Sequence, residues 1–252
     1  MDFTLKIYKQ LLIALQQAGY QFLTFQQFCE GRAGEKFVIL RHDVDLKAEN
    51  SLATAKIECE LGIKATYYFR VIPQSNKSHV IKEIAELGHE IGYHYEDLSL
   101  MNGNAEKAIE HFKNKLEHFR QYYPVKTICM HGSPRSKIDN RDSWKQYDYR
   151  DFGIIGEPYV DLNFNEIAYL TDTARCWNGE KYNVRDKVQS AYNHNFKSTF
   201  EIIKVAQSGF LPNKIMITTH PQRWTNNLFA WMWEYLFQNV KNKIKYYTLC
   251  KN

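Results

Sequence analysis

FVILRHDVD occupies Phe37–Asp45. Four apolar residues in succession suit a strand buried on both faces, as in a parallel sheet. The run then stops in two acids separated by one residue, with His42 just before them. Open α/β sheets and barrels place their chemistry at the carboxyl ends of strands. Period-2 geometry sets Asp43 and Asp45 on the same side. Two carboxylates in one mouth repel, so a compensating group is expected. A metal ion suits, with one acid as ligand and the other as base. Asp45 taken alone is better read as a strand-end Asx turn or helix cap, because Leu46–Leu61 reads as helical and Asp caps well; the other strand ends shift the balance. His42 points away from Asp43 in a regular strand, so a structural or supporting role is expected for it.

Working outward, strand-like and helical runs alternate. A short apolar piece at Gln21–Phe25 and a helix at Gln26–Glu30 precede the regular region. Strands are predicted at Phe37–Arg41, Lys64–Arg70, Glu90–His94, Thr127–His131, Gly153–Gly156, Glu166–Leu170 and Lys214–Thr219. Helices are predicted at Lys47–Leu61, Lys77–Leu87, Ala105–Tyr123, Phe196–Gln207 and Trp224–Val240. Gly62, Gly88 and Gly209 sit where a left-handed cap is wanted. The stretch Ser133–Tyr192 is less regular and is expected to carry long loops over one face. Strands with helical crossovers imply a parallel α/β sheet, open or closed into an irregular barrel. With 252 residues and no linker, one domain at 1–252 is the simplest organisation, with an N-terminal helical extension at 1–35.

Bulk properties narrow the function. The net charge of +5 is modest, and Lys and Arg are scattered apart from Lys241–Lys245. No zinc-finger or RNA-binding motif is present, so nucleic acid is not expected as a partner. Aromatics at 15% suit sugar-binding faces and cores alike. Leu5, Tyr8, Leu11, Leu12 and Leu15 recur at helical spacing, which reads as an amphipathic helix rather than a targeting segment. No stretch is long enough to span a bilayer. The cysteines Cys29, Cys59, Cys129, Cys176 and Cys250 are odd in number and lack metal-type spacing. Reduced thiols in a cytoplasm are expected.

Three further strand ends carry histidine. Glu90–Tyr93 ends at His94, followed by Tyr95, Glu96 and Asp97. Ile128–Met130 ends at His131-Gly132-Ser133-Pro134, and Ile215–Thr219 ends at His220-Pro221. A single strand-end histidine is more often structural than a ligand. Several facing one mouth, together with Asp43 and Asp45, form a set suited to zinc or another divalent transition metal. His79, His111 and His118 lie in helical runs, His194 in a polar loop, and His89 at the opposite end of its strand.

The order HDVD, then GHEIGYH at Gly88–His94, then a Gly/Pro turn, then a late strand ending in histidine resembles the polysaccharide deacetylase family. The similarity runs over roughly Phe37–Pro221. It implies a distorted seven-stranded (β/α) barrel and metal-dependent removal of an N-acyl group from carbohydrate. By this resemblance Asp43 matches the general base, Asp45 the ligand acid, His94 the first metal histidine and His220 the general acid. The second metal histidine is expected at position 98, where this chain has Leu98. An arginine near the catalytic acid is expected after the strand that ends here in His131. His131 is therefore the candidate third ligand, with Glu96 as its competitor. Thr218 stands where the family places an acyl-pocket leucine.

The chemistry of the residues agrees with this resemblance. Amide hydrolysis needs an activated water, oxyanion stabilisation and a proton for the amine. A metal, Asp43 and His220 together meet these needs. Tyr95, Trp144, Tyr169 and Trp177 are candidates for stacking on sugar faces, with core packing an equal alternative for each. Arg175 and Arg223 are candidates for an anionic substrate group. The leading expectation is a cytoplasmic zinc-dependent hydrolase acting on an amino sugar or glycan precursor in surface-polysaccharide biosynthesis. The alternatives are a catalytically degenerate sugar- or protein-binding domain, and a hydrolase of a non-sugar amide or cyclic imide.

Overall fold

The computed structural model describes residues 1–132, 136–177, 188–192 and 195–247. Ser133, Pro134, His194 and Cys250 lie outside them. The chain opens with helix α1 (Leu5–Gln17), capped by Thr4, whose hydroxyl accepts from the Ile7 amide. Its buried stripe of Ile7, Tyr8, Leu11, Leu12 and Leu15 is the one the periodicity marks. Strand β1 (Gln21–Leu23) and helix α2 (Phe25–Cys29) follow. β1 lies within the expected helical extension at 1–35, yet it joins the sheet.

The quoted segment forms β2 (Phe37–Val44), buried along its whole length. Then come α3 (Ala48–Glu60), β3 (Thr66–Phe69), α4 (Ser78–Glu86), β4 (Glu90–Tyr95), the short α5 (Asp97–Leu100), α6 (Ala105–Arg120) and β5 (Ile128–Met130). After 3-10 turns come α7 (Pro158–Asp161), β6 (Ala168–Thr171), α8 (Thr199–Gln207), β7 (Lys214–Thr219) and α9 (Leu228–Lys245). The seven strands make one sheet in the order β5-β4-β3-β2-β7-β6, with β1 also paired to β2. Every pairing is parallel. β7 takes one edge of β2 over residues 37–42, while β1 and β3 pair with its early and late halves. The sheet curls into a half-barrel covered by helices, as a parallel sheet buried on both faces requires.

Gly153–Gly156 is not a strand. It contributes a single parallel bridge, Thr127 to Gly156, and the seventh strand is β1 instead. Gly62, Gly88 and Gly209 do adopt the left-handed conformation, with φ of 69°, 85° and 76°.

Alternation along the strands separates two environments. Val38, Leu40, Val44, Tyr67, Phe69, Ile91 and Tyr93 belong to the large core beneath the helices. Phe37, Ile39, Tyr68, Cys129 and Met216 belong to a smaller cluster with Leu23 and Phe25. Arg41, Asp43, Gly92, His94, Thr218 and His220 continue the parity of this second set toward the carboxyl ends. The carboxyl-terminal end of this face is therefore the ionisable one that carries Arg41, Asp43, His94 and His220, while a separate buried acid, Glu90, is bonded to Thr66 and Thr127 at the amino-terminal end. Gly92 is required there, because a Cβ at this position would lie 2.3 Å from the Tyr68 ring.

Candidate active site

The carboxyl ends of β2, β4, β5 and β7 converge, bringing Asp43, Asp45, His94, His131 and His220 together. Asp43 does not wait for a metal to be compensated. Arg41, two residues earlier on the same strand face, grips it with both ends of its guanidinium. Nε donates to Oδ1 at 2.8 Å and Nη2 to Oδ2 at 2.6 Å. Both side chains are buried. The guanidinium also lies 4.8 Å from the Tyr159 ring centroid and 5.7 Å from that of Tyr68. Burial pushes the Asp43 carboxyl up, but Arg41, His94 and His220 outweigh it and hold the group below its ordinary range. The cation that compensates Asp43 thus comes from β2 itself.

Asp45 is not a helix cap. α3 begins after Lys47, which has φ of 52° and makes no side-chain cap bond. Instead Asp45 Oδ1 lies 3.6 Å from His94 Nε2 and 3.6 Å from His131 Nε2. Its Oδ2 lies 3.8 Å from His220 Nε2. Burial pushes its carboxyl up, and the three histidines reverse this and keep it ionised.

The histidine tautomers follow from their second nitrogens. His94 Nδ1 is 2.9 Å from the carbonyl oxygen of Cys129. A carbonyl only accepts, so Nδ1 carries the proton and Nε2 presents a lone pair. Burial lowers the His94 pKa to about 4, with His131 adding to the effect, so the ring is neutral near pH 7. His131 Nδ1 is 3.0 Å from Glu96 Oε2. Arg70 clamps Glu96 at 2.9 and 2.8 Å. Burial pushes the Glu96 carboxyl up, but the His131 hydrogen bond and charge, with Arg70, bring it down to about 2. An ionised carboxylate accepts, so His131 Nδ1 carries a proton and its Nε2 is turned toward Asp45. Glu96 orients His131 rather than joining it.

These observations make a fit test for a divalent cation. Asp45 Oδ1 is buried, and among the described residues it has no hydrogen-bond partner. It faces Nε2 of His94, which carries a lone pair, and Nε2 of His131. One carboxylate oxygen and two imidazoles suit zinc, and the partners behind both rings are the kind that fix metal ligands. Asp43, His94 and Cys129 also place ligand atoms within 4.8 Å of one another. That set is the weaker one, because both oxygens of Asp43 are engaged by a guanidinium that repels a cation.

His220 stands across from these ligands. Its Nδ1 is 2.6 Å from Asp172 Oδ1. Asp172 is fully buried and also accepts from Arg223 Nη1 at 2.8 Å and Trp224 Nε1 at 2.7 Å. Burial and Arg223 act to lower the His220 pKa, yet Asp172 and Asp45 prevail and raise it. The imidazolium form is therefore favoured, with Nε2–H turned toward the mouth. Asp172 escaped the sequence reading although LTD ends a predicted strand in an acid, which is the signal used for Asp43.

Of Tyr95, Trp177, Arg175 and Arg223, only Arg223 reaches the site, and it does so by holding Asp172; the Tyr169 hydroxyl lies 3.2 Å from that of Tyr159. Tyr95 alternates away from His94 and accepts from Trp144 Nε1 at 2.8 Å beneath the helices. Trp177 is buried, donates to Thr199 Oγ1 at 2.9 Å and packs near Phe3 and Trp224. Arg175 donates to the Trp231 carbonyl oxygen at 3.0 Å and lies over the Trp231 ring. His42 turns to the helix side, 2.8 Å from Glu58 Oε1 and 2.7 Å from Thr219 Oγ1. Leu98 is buried in α5. Thr218 Oγ1 is buried on the interior face with no hydrogen-bond partner among the described residues.

No protein-family model and no curated protein matches this chain. Solved structures do. Wild-type BA3943 from Bacillus anthracis, described as a CE4 family pseudoenzyme, aligns with a TM-score of 0.47 and 13% identity. The alignment covers 84% of this chain and 62% of that one. A BA3943 mutant with restored enzymatic activity also gives a TM-score of 0.47 and 13% identity, over 84% of this chain and 64% of its own. PdaA of Bacillus subtilis, a family 4 carbohydrate esterase, gives 0.41 and 13% identity over 92% of this chain and 84% of its own. The structural neighbours are thus CE4 carbohydrate esterases, a pseudoenzyme among them. The matched part spans less than two thirds of the BA3943 chains.

Proposed function

We propose that this protein is a metal-dependent amide hydrolase that removes an N-acyl group, acetyl in the first instance, from an amino sugar of a glycan precursor. One observation carries the reading: a buried Asp45 Oδ1, without a hydrogen-bond partner among the described residues, faces Nε2 of His94 and of His131, between an acid held ionised and a histidine held protonated. Asp45, His94 and His131 would hold the metal, zinc by the character of the donors. When bound, it would lower the pKa of a water and polarise the acyl carbonyl.

The rest of the chemistry belongs to the chain. Asp43, kept ionised and fixed by Arg41, takes a proton from the attacking water. The water oxygen bonds to the acyl carbon and the C–N bond breaks. His220 gives its Nε2 proton to the departing nitrogen, and Asp172 fixes the ring for that transfer. The products are a carboxylate and a free amine. Thr218 puts a polar hydroxyl near the reacting centre where the resemblance expects an apolar acyl pocket.

The reading is tested by zinc titration of metal-stripped protein, with acetate release from N-acetylated amino sugars as the second readout. One zinc per chain is expected. His131→Ala lowers affinity by at least tenfold to a hundredfold, because a ligand is lost, and Glu96→Gln lowers it less. Equal zinc affinity in His131→Ala and the parent removes His131 from the ligand set. A parent that takes up no zinc favours the second reading, a sugar-binding domain without catalysis, for which Leu98 in place of a histidine is the supporting observation.

A further inference from the structure

Helix α9 is docked the wrong way round for a helix on a water-facing surface. Its buried residues are polar: Glu234, Gln238 and Asn242, one turn apart. Lys47 Nζ reaches Glu234 at 3.2 Å, Gln238 donates to Asn242 at 2.7 Å, and Asn242 donates to the Ala174 carbonyl oxygen at 2.9 Å. The outward face is apolar. Phe229 is 83% exposed, Trp233 69%, Leu236 58% and Ile244 57%. Amphipathic helices on soluble proteins have the opposite polarity, and a contiguous apolar face of this kind marks an interaction surface.

The charges select the partner. Lys243 is exposed in the last turns of α9, flanked by the half-buried Lys241 and Lys245, and Glu234, its single acid, is turned inward against Lys47. Exposed Trp, Phe and Leu beside lysines of one sign is the composition of helices that lie in a membrane interface. A second copy of this face would offer the lysines no acid, because the one acid of α9 is turned inward. Anionic headgroups supply the missing charge, and acyl chains accept the aromatic side chains. No helix among the described residues is long and apolar enough to cross a membrane, so the contact is with the surface.

We infer that α9 docks this protein onto an anionic lipid bilayer. The helix is anchored by Lys47 and Ala174, which lie just beyond Asp45 and Asp172 in the chain. The inference goes beyond the hydrolase reading and does not depend on it.

The test is co-sedimentation of the full chain with vesicles of phosphatidylcholine containing about a quarter phosphatidylglycerol, against phosphatidylcholine alone. Binding to the anionic vesicles, weakened by salt, is expected. Trp233→Glu and Leu236→Glu, both at exposed positions, are each expected to lower it at least tenfold, and Lys243→Glu roughly fivefold. Circular dichroism matching the parent shows that each variant is folded. Folded glutamate variants that bind as the parent does overturn the inference. So does a parent that ignores anionic vesicles but sediments as a dimer dissociated by Trp233→Glu, which assigns the face to a second copy.

Discussion

Replacing Arg41 with methionine is expected to lower the stability of the metal-free protein by about 3–5 kcal/mol, the usual cost of stranding one partner of a buried ion pair. For a chain of this size that is a fall in melting temperature of roughly 10 °C. The reason is local. Asp43 is buried and its two oxygens both accept from Arg41. Removing the guanidinium leaves the carboxylate to be protonated or desolvated without compensation, so its pKa rises. Arg41→Met combined with Asp43→Leu is expected to recover much of the loss, since two apolar groups of similar volume cost little there. Thermal unfolding in the presence of a chelator decides the matter. A single variant as stable as the parent, or a double variant no better than the single, contradicts the pairing.

The second large effect is on rate. Asp43→Asn keeps the shape of the side chain and abolishes its ability to take a proton from water. Turnover of an N-acetylated amino sugar per folded molecule should fall by about a hundredfold or more. Zinc affinity should change little, because Asp45, His94 and His131 are untouched. The amide also leaves Arg41 with a neutral partner, so stability must be measured beside activity. Parent and variant turning over at the same rate would falsify the base role. Loss of zinc together with activity would instead place Asp43 among the ligands.

Much of this site was legible in the strand ends. FVILRHDVD announces a doubly buried strand that finishes in acids, and β2 runs through Val44 as that pattern requires. The strand ends at His94, His131 and His220 are found by the same logic. Arg41 was missed although parity alone places residues 41, 43 and 45 on one face. A charged residue at the close of an apolar run reads as the strand's end rather than as a partner. Tyr95 is the converse error. Its position next to His94 in sequence puts it on the opposite face of the sheet.

Other features depend on packing that no local pattern encodes. β1 has only three residues and is a strand because β2 offers it an edge. Gly153–Gly156 has strand-like composition but pairs through one residue. Trp177 and Arg175 look like loop residues open to substrate, and long-range contacts with Phe3, Trp224 and Trp231 decide otherwise. The start of α9 at Leu228 rather than Trp224 has the same origin, because Trp224 is committed to Asp172.

Anomalous diffraction at the zinc edge, from crystals grown with zinc, locates the ion directly. The account predicts one strong peak within bonding distance, about 2.0–2.2 Å, of Asp45 and of Nε2 of both His94 and His131, with Asp43 still gripped by Arg41. A peak shared by Asp43, His94 and Cys129, or no peak within the mouth, contradicts it.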